Sequence, residues 1–222
     1  MAGFFPIFFE KYWSNPELVD QSTFYLGLSN SIGSLIVAAM APFLGAISDT
    51  GSTKKKFLFT FAFIGILSTL LLWFVKQGDW QLAAILYAVA CVGFASGNVF
   101  YDSLLPSVAK KDELDFVSSL GFSFGYLGGG ILFVVNILMY QNPEWFGIPD
   151  PSTAIRLSFV SVSVWWAIFS IPIFLFVPEE KNNVNIPFGE AASLGWEQLK
   201  TTFKEIKKMR IIGMFLFAYW LY

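Results

Sequence analysis

Residues 45–57 read GAISDTGSTKKKF, a short polar stretch that includes three consecutive lysines. The run before it, FYLGLSNSIGSLIVAAMAPFL (24–44), and the run that overlaps its end, FLFTFAFIGILSTLLLWFV (57–75), contain no charged residue. A helix needs about 20 mostly apolar residues to cross the hydrocarbon core of a bilayer. The pattern therefore predicts two membrane-spanning helices joined by a tight hairpin whose charges stay outside the lipid.

The composition of the whole chain also indicates a membrane protein. Hydrophobic residues fill 55% of the 222 positions and charged residues only 14%, whereas soluble domains carry about 25% charged residues. The chain has one cysteine and no histidine, which argues against a disulfide framework, a zinc site and histidine-based acid–base catalysis. We predict no metal, no cofactor and no nucleic-acid partner.

Five segments are uncharged and long enough to span a bilayer; they are residues 24–47, 57–75, 80–101, 116–140 and 157–177. They lack the alternation of barrel strands, and within lipid a helix satisfies every backbone hydrogen bond internally. The two chain ends, MAGFFPIFFEKYW and RIIGMFLFAYWLY, are apolar but too short to span, so we interpret them as parts of two further helices. The sequence thus predicts an all-α, polytopic membrane protein with five complete spans and two partial ones, and we expect the chain to be a fragment.

The basic residues predict the orientation of these helices. Loops 48–56, 102–115 and 178–210 fall on one side and carry eleven lysines and arginines, against three on the other side, at Lys11, Lys76 and Arg156. Because lysine and arginine concentrate in cytoplasmic loops, we expect the first side to face the cytoplasm. The stretch 178–210 has a lysine-rich polar face, which fits either a helix on the membrane surface or a solvated linker helix.

Closely spaced glycines mark the fourth of the five spans. In LGFSFGYLGGG, Gly121, Gly125 and Gly129 follow each other at four-residue spacing, and Gly130 completes a Gly-Gly pair. Glycines four apart share one helix face and let a second helix approach closely. This glycine seam (Gly121, Gly125, Gly129, Gly130) therefore predicts either helix packing or a flexible contact that bends during transport.

A carboxylate directly follows the first span. Asp49 lies between Gly45 and Gly51. It is either a solvated loop residue or, because the neighbouring glycines permit close packing, part of a gate.

The motif around Asp49 resembles the loop between the second and third helices of major facilitator superfamily transporters, Gly-x-Leu-x-Asp-basic-x-Gly followed by basic residues. Gly45, Ile47 and Asp49 match, Thr50 replaces the first basic residue, and Gly51 comes one position early. The resemblance implies a cytoplasmic gating loop, here Gly45, Asp49, Gly51, Lys54 and Lys55, that meets the second half of the transporter.

The glycine seam resembles a second signature, that of the fifth helix in the antiporter branch, Gly-x-x-x-Gly-Pro-x-x-Gly-Gly, with Tyr126 in place of proline. No basic residue lies in 80–101, so the fourth-helix arginine of many proton-coupled members has no counterpart.

Longer stretches resemble the vacuole-effluxer (autophagy-related permease) family and its bacterial relatives. They are GNVFYDSLLPSVA, SSLGFSFGYLGGGILFVVNILM, PEWFG and RLSFVSVSVWWAIFSIPIFLFVPE. The resemblance implies the N-terminal half of a twelve-helix major facilitator fold in a bacterial inner membrane. Residues 1–177 would be the end of helix 1 to helix 6, 178–210 the cytoplasmic linker and 211–222 the start of helix 7. Its partners would be the lipid bilayer, a small solute and the missing C-terminal half, and the fungal members imply amino-acid efflux.

Polar residues within the spans are candidates for binding the solute, because transporters of this kind bind near the midplane between their halves. They are Asn30, Asn98, Ser123, Tyr126 and Asn136. For most of them a hydrogen bond between helices is the simpler interpretation. Tyr101 and Asp102 are better candidates, because an ionisable group beside a span is a functional hypothesis by default.

Three other functions remain open at this point. One is a permease of the same superfamily for sugars or other solutes, and another is a membrane assembly or receptor protein without transport activity. An intramembrane enzyme ranks last, since the spans contain no histidine and no Ser/Lys or Cys/His arrangement. Substrate-dependent counterflow separates transport from the non-transporting alternative.

Overall fold

The computed structural model describes residues 4–13, 19–50 and 53–179, together with isolated helical positions between 190 and 218. The side chains of residues 11, 19–23, 42 and 46–50 also lie outside this description. Every regular element in the described part is helical. The longer elements are α2 (Val19–Thr50), α3 (Lys54–Leu71), α4 (Trp80–Ser103), α5 (Leu114–Gln141) and α6 (Pro151–Phe176).

All five predicted spans are helices, and each is long and apolar enough to cross a membrane. The short helix α1 (Phe5–Phe8) precedes them and continues as a π-helical turn, Phe9–Trp13. Short 3₁₀ turns follow three of the helices, at Leu72–Phe74, Leu105–Ser107 and Pro143–Phe146. The all-α, polytopic prediction is therefore confirmed.

The helix ends differ from the predicted span ends, because the apolar runs mark the lipid-facing part and not the whole helix. Both helices extend into the predicted loop 48–56, since α2 continues to Thr50 and α3 begins at Lys54. At the opposite end of the bundle, α6 begins at Pro151 and not near residue 157. Asp150 caps this start by accepting a 2.9 Å hydrogen bond from the Thr153 amide, and Pro151 occupies the first helical position, where a missing N–H does no harm.

Helix α4 is central to the packing: it lies along α2 and α3, while α6 packs against α3 and α5. The closest approach between α3 and α4 occurs at two glycines. A Cβ on Gly93 would stand 2.8 Å from the Phe61 carbonyl oxygen and 3.0 Å from the Gly65 Cα. A Cβ on Gly65 would stand 2.3 Å from the ring of Trp166 on α6. These two glycines therefore let three helices meet around one tryptophan.

An aromatic cluster closes one end of the bundle around the N-terminal segment. Phe5 stacks on Tyr87 with ring centroids 4.1 Å apart, and Trp13 stacks on Phe159 at 5.7 Å. The Trp13 Nε1 also donates to the Val75 carbonyl at 3.4 Å. Because Phe5, Trp13 and Phe159 are fully buried, the segment predicted to end a helix is part of the core.

At the same end of the bundle, Arg156 links α6 to the turn that follows α3. Its Nε donates to the Trp73 carbonyl at 3.0 Å, its Nη2 donates to the same oxygen, and its guanidinium lies 4.7 Å from the centroid of the Trp73 ring. The positive charge thus lies at the C-terminal end of the α3 segment, where a helix dipole favours a cation.

Of the predicted linker 178–210 and the predicted start of helix 7 at 211–222, the structure describes only residues 178–179 and isolated positions further on. The amphipathic surface helix and the domain boundaries therefore stay predictions.

Candidate functional site

Helices α3, α4 and α6 enclose a cavity of about 220 Å³. Its walls are mostly apolar, with Phe94 and Trp166 among them, and its polar groups are Asn98, Tyr101 and Ser170. The Ser170 hydroxyl donates to the Trp166 carbonyl at 2.7 Å, which leaves its oxygen free to accept. An apolar cavity with a few convergent polar groups is a common arrangement for binding a small molecule.

Tyr101 connects this cavity to α5. Its hydroxyl lies 3.6 Å from the position that a Cβ on Gly121 would occupy, so the first glycine of the seam gives space to the phenol. Its side chain is about half exposed. Tyr101 thus lies between the cavity and the surface formed by α5.

Asp102 follows in the last turn of α4, and its side chain is exposed. A carboxylate at a helix C-terminus lies at the negative end of the helix dipole. The position is therefore mildly unfavourable for the helix.

The rest of the glycine seam packs against nothing in the described part of the chain. A Cβ on Gly125, Gly129 or Gly130 would meet no heavy atom within 4 Å. Gly128, which the sequence reasoning passed over, does pack: a Cβ there would lie 3.7 Å from the Trp165 ring. Gly121 and Gly128 thus have described neighbours at ordinary contact distance, whereas the other three glycines have none.

The remaining polar candidates are dispersed. Asn136 is buried, and its Oδ1 accepts a 2.9 Å hydrogen bond from Ser161 on α6, which makes it a connection between helices. Ser123 donates to Ser119 of its own helix at 2.8 Å. Asn30 on α2 and Tyr126 on α5 are exposed, Tyr126 by 81%. The structure therefore brings Asn98 and Tyr101 to one cavity and leaves Asn30, Ser123 and Tyr126 apart from it.

The structure describes only some of the residues in the predicted gating loop. Gly45 lies in α2 with open space around it. Asp49 lies in the last turn of α2, but its side chain lies outside the described part, as does all of Gly51. The contacts predicted for this acid therefore stay predictions.

The two lysines of the loop have defined partners. Lys54 Nζ donates to the Ser103 carbonyl at the end of α4, at 3.2 Å. Lys55 Nζ donates to the Phe174 carbonyl in the last turn of α6, at 3.1 Å. Both ammonium groups thus lie at C-terminal helix ends, which favour cations.

Glu179 is a member of this site that the sequence reasoning missed. Its Oε1 accepts a 3.2 Å hydrogen bond from the Lys55 backbone amide in the first turn of α3. A carboxylate there favours the start of a helix that is crowded with lysines. The contacts of Lys54, Lys55 and Glu179 show that the start of α3 and the ends of α4 and α6 lie together at one end of the bundle. This agrees with the prediction that loops 48–56, 102–115 and 178–210 lie on the same side.

Comparisons with known proteins agree with this architecture. The family model described as "Vacuole effluxer Atg22 like" matches residues 16–116 and 110–222. A Bacillus subtilis (strain 168) protein named "Uncharacterized MFS-type transporter YxiO" is 34% identical over 223 residues, covering 98% of this chain and 51% of that protein. "Autophagy-related protein 22" of Vanderwaltozyma polyspora is 23% identical over 246 residues, covering 94% of this chain and 46% of that protein.

The chain thus spans about half the length of these curated relatives. No solved structure matches it. The relatives' names describe a transporter and an autophagy protein rather than enzymes, in line with the low rank of an enzyme in the sequence analysis. With five membrane-spanning helices and a family match along nearly its whole length, this integral, multi-pass membrane protein belongs to the Atg22-like vacuole effluxer family.

Proposed function

We propose that the full-length protein is a secondary active transporter that moves a small solute by alternating access. The observation that carries the proposal is the joint position of Asn98, Tyr101 and Asp102 along one end of α4. The first two line the cavity between α3, α4 and α6, and the third follows in the last helical turn. An apolar cavity with a few polar groups, next to an ionisable residue at the end of a span, is a candidate solute path.

The open part of the glycine seam supports the second element of the proposal, a contact with another half. Gly125, Gly129 and Gly130 leave a smooth face on α5 that no described residue covers. Small residues let helices approach and slide, so this face suits a moving contact with a C-terminal half. In this view residues 1–177 form the N-terminal bundle, 178–210 the linker and 211–222 the start of helix 7.

The orientation follows from the lysines. Lys54 and Lys55 lie with the ends of α4 and α6, and concentrated lysines favour the cytoplasmic side. We place loops 48–56, 102–115 and 178–210 in the cytoplasm and the protein in a bacterial inner membrane. Asp49, Lys54 and Lys55 then form a cytoplasmic gate. The matching family description names an effluxer, and we propose amino acids as the solute class from the resemblance to the fungal members.

Counterflow in proteoliposomes tests this function. The purified full-length protein is reconstituted into vesicles loaded with one unlabelled solute, and uptake of the labelled solute is followed for a panel of amino acids and sugars. Exchange restricted to amino acids supports the proposal, whereas exchange restricted to sugars replaces the substrate class. No exchange with any solute favours a non-transporting assembly or receptor protein.

A further inference from the structure

A second, more open space lies between α3 and α6 and shares Phe174 with the cavity at Tyr101. This lipid groove, as we call the space bounded by Lys55, Lys56, Phe59, Ile171 and Leu175, has a volume of about 510 Å³. Its two ends differ in chemistry, and that difference indicates what it binds.

One end of the lipid groove is cationic. The Lys55 ammonium uses one of its three N–H groups on the Phe174 carbonyl and keeps two for a ligand. Lys56 is exposed, and no described residue pairs with its ammonium. The carboxylate of Glu179 is already held by the Lys55 amide, and Lys54 is directed to the end of α4.

The other end is apolar and open. Phe59 and Ile171 are each more than half exposed, and Leu175 is 68% exposed. Phe59 and Ile171 lie about one helical turn further into the spans than Lys55 and the Phe174 carbonyl, whereas Leu175 lies beside that carbonyl. A soluble anion would use the lysines and leave these walls unused.

We propose that the lipid groove binds an anionic phospholipid, with its phosphate on Lys55 and Lys56 and an acyl chain along Phe59, Ile171 and Leu175. Basic pockets between membrane helices, just at the cytoplasmic surface, suit acidic head groups. The proposal goes beyond transport and requires only that the five helices span a bilayer. With the proposed orientation the lipid comes from the cytoplasmic leaflet, but the binding itself does not depend on the orientation.

Native mass spectrometry of the delipidated full-length protein tests this proposal. The probe is 1-palmitoyl-2-oleoyl phosphatidylglycerol, and phosphatidylcholine with the same chains is the neutral reference. We expect the anionic lipid to bind more tightly, and Lys56→Gln to weaken it about fivefold, the effect of one basic residue near an acidic head group. Lys110→Gln, which removes an exposed lysine from the same predicted side, is the matched control and leaves binding unchanged.

Two further measurements separate a lipid from a simple anion. Leu175→Gln, at an exposed wall position, weakens phosphatidylglycerol binding but leaves the melting temperature unchanged. Glycerol 3-phosphate, which has the charge without the chains, fails to displace the lipid. Equal binding of both lipids, no effect of Lys56→Gln, or displacement by glycerol 3-phosphate would each overturn the proposal. Because binding is read as mass, this result is independent of solute flux.

Discussion

The hydroxyl of Tyr101 lies 3.6 Å from the point where a Cβ on Gly121 would stand. This contact joins the cavity-lining end of α4 to the glycine seam of α5. We expect this contact to couple the candidate solute site to the helix face proposed to meet the second half, because a shift of α5 would move the surface against which the phenol lies.

Enlarging Gly121 tests this coupling. Gly121→Ala adds a methyl group at ordinary contact distance from Tyr101, so we expect flux close to that of the wild type. Gly121→Leu displaces the phenol and lowers flux strongly. Flux is measured by counterflow, with the melting temperature as the check on folding. Equal flux in the alanine and leucine variants would contradict the coupling.

We expect Gly65 and Gly93, where α3 and α4 are in contact, to contribute to the stability of the fold and not to movement. In Gly65→Ala the new Cβ would lie 2.3 Å from the Trp166 ring, and in Gly93→Ala it would lie 2.8 Å from the Phe61 carbonyl. Overpacking of this kind costs about 1–3 kcal/mol. We expect both variants to lower the melting temperature in detergent.

Gly27→Ala is the matched control for these variants, because no described heavy atom lies within 4 Å of its added Cβ. We expect its melting temperature to equal or exceed that of the wild type, since alanine favours a helix by about 1 kcal/mol over glycine. A Gly93→Ala protein as stable as Gly27→Ala would show that α3 and α4 are not packed as described.

The hydrogen bond between Ser161 and Asn136 stabilises the packing of α5 on α6. A double-mutant cycle with Asn136→Ala and Ser161→Ala, read by unfolding in denaturing detergent, should give a coupling free energy of about 0.6 kcal/mol, typical of such bonds between membrane helices. Ser123→Ala paired with Asn136→Ala is the reference, because Ser123 bonds within its own helix. A coupling near zero for both pairs would argue against the Asn136 contact.

The cap at the start of α6 predicts a pH dependence. The hydrogen bond from the Thr153 side chain, followed by that from its amide, lowers the pKa of Asp150 below its ordinary value of 3.8. The unfolded chain therefore binds this proton more readily than the folded chain. The stabilisation is fully present above a pH of about 4 and is lost as the pH falls through the lower folded-state pKa.

Thermal melts at two pH values check this prediction. Asp150→Ala should lower stability by about 1 kcal/mol at neutral pH, and Asp150→Asn should lower it far less because asparagine also caps. Asp150→Asn should also lose less stability on acidification than the wild type. An alanine variant as stable as the wild type at neutral pH would mean that the cap contributes nothing.

The positions of the five spans could be predicted from the sequence because an uncharged run of sufficient length has few alternatives to a membrane helix. The helix ends could not be predicted in this way. The lysines at 54–56 and Asp150 belong to the starts of α3 and α6, which extend beyond the apolar runs. The same reasoning missed Glu179, whose partner is distant in the chain.

The sequence also could not predict which glycines pack against another helix. Gly93 and Gly97 are four apart, as Gly121 and Gly125 are, so spacing alone does not distinguish a packed face from an open one. The contacts of Gly93 with Phe61 and of Gly65 with Trp166 show that the tight packing lies between α3, α4 and α6. These contacts depend on the three-dimensional structure and not on the spacing. Asn98 and Tyr101 could be named from the sequence, whereas their meeting in one cavity depends on how the helices cross.

The most direct test of the central claim is efflux of a labelled amino acid from proteoliposomes that contain the full-length protein or its Asp102→Asn variant. Asp102 is exposed in the last turn of α4, so the substitution should leave membrane insertion intact, which the yield of folded protein in the vesicles verifies. We expect rapid efflux from wild-type vesicles and strongly reduced efflux from the variant at equal protein content. Efflux at the same rate from the variant would contradict the role of Asp102, and efflux no faster than from protein-free vesicles for any solute would contradict transport itself.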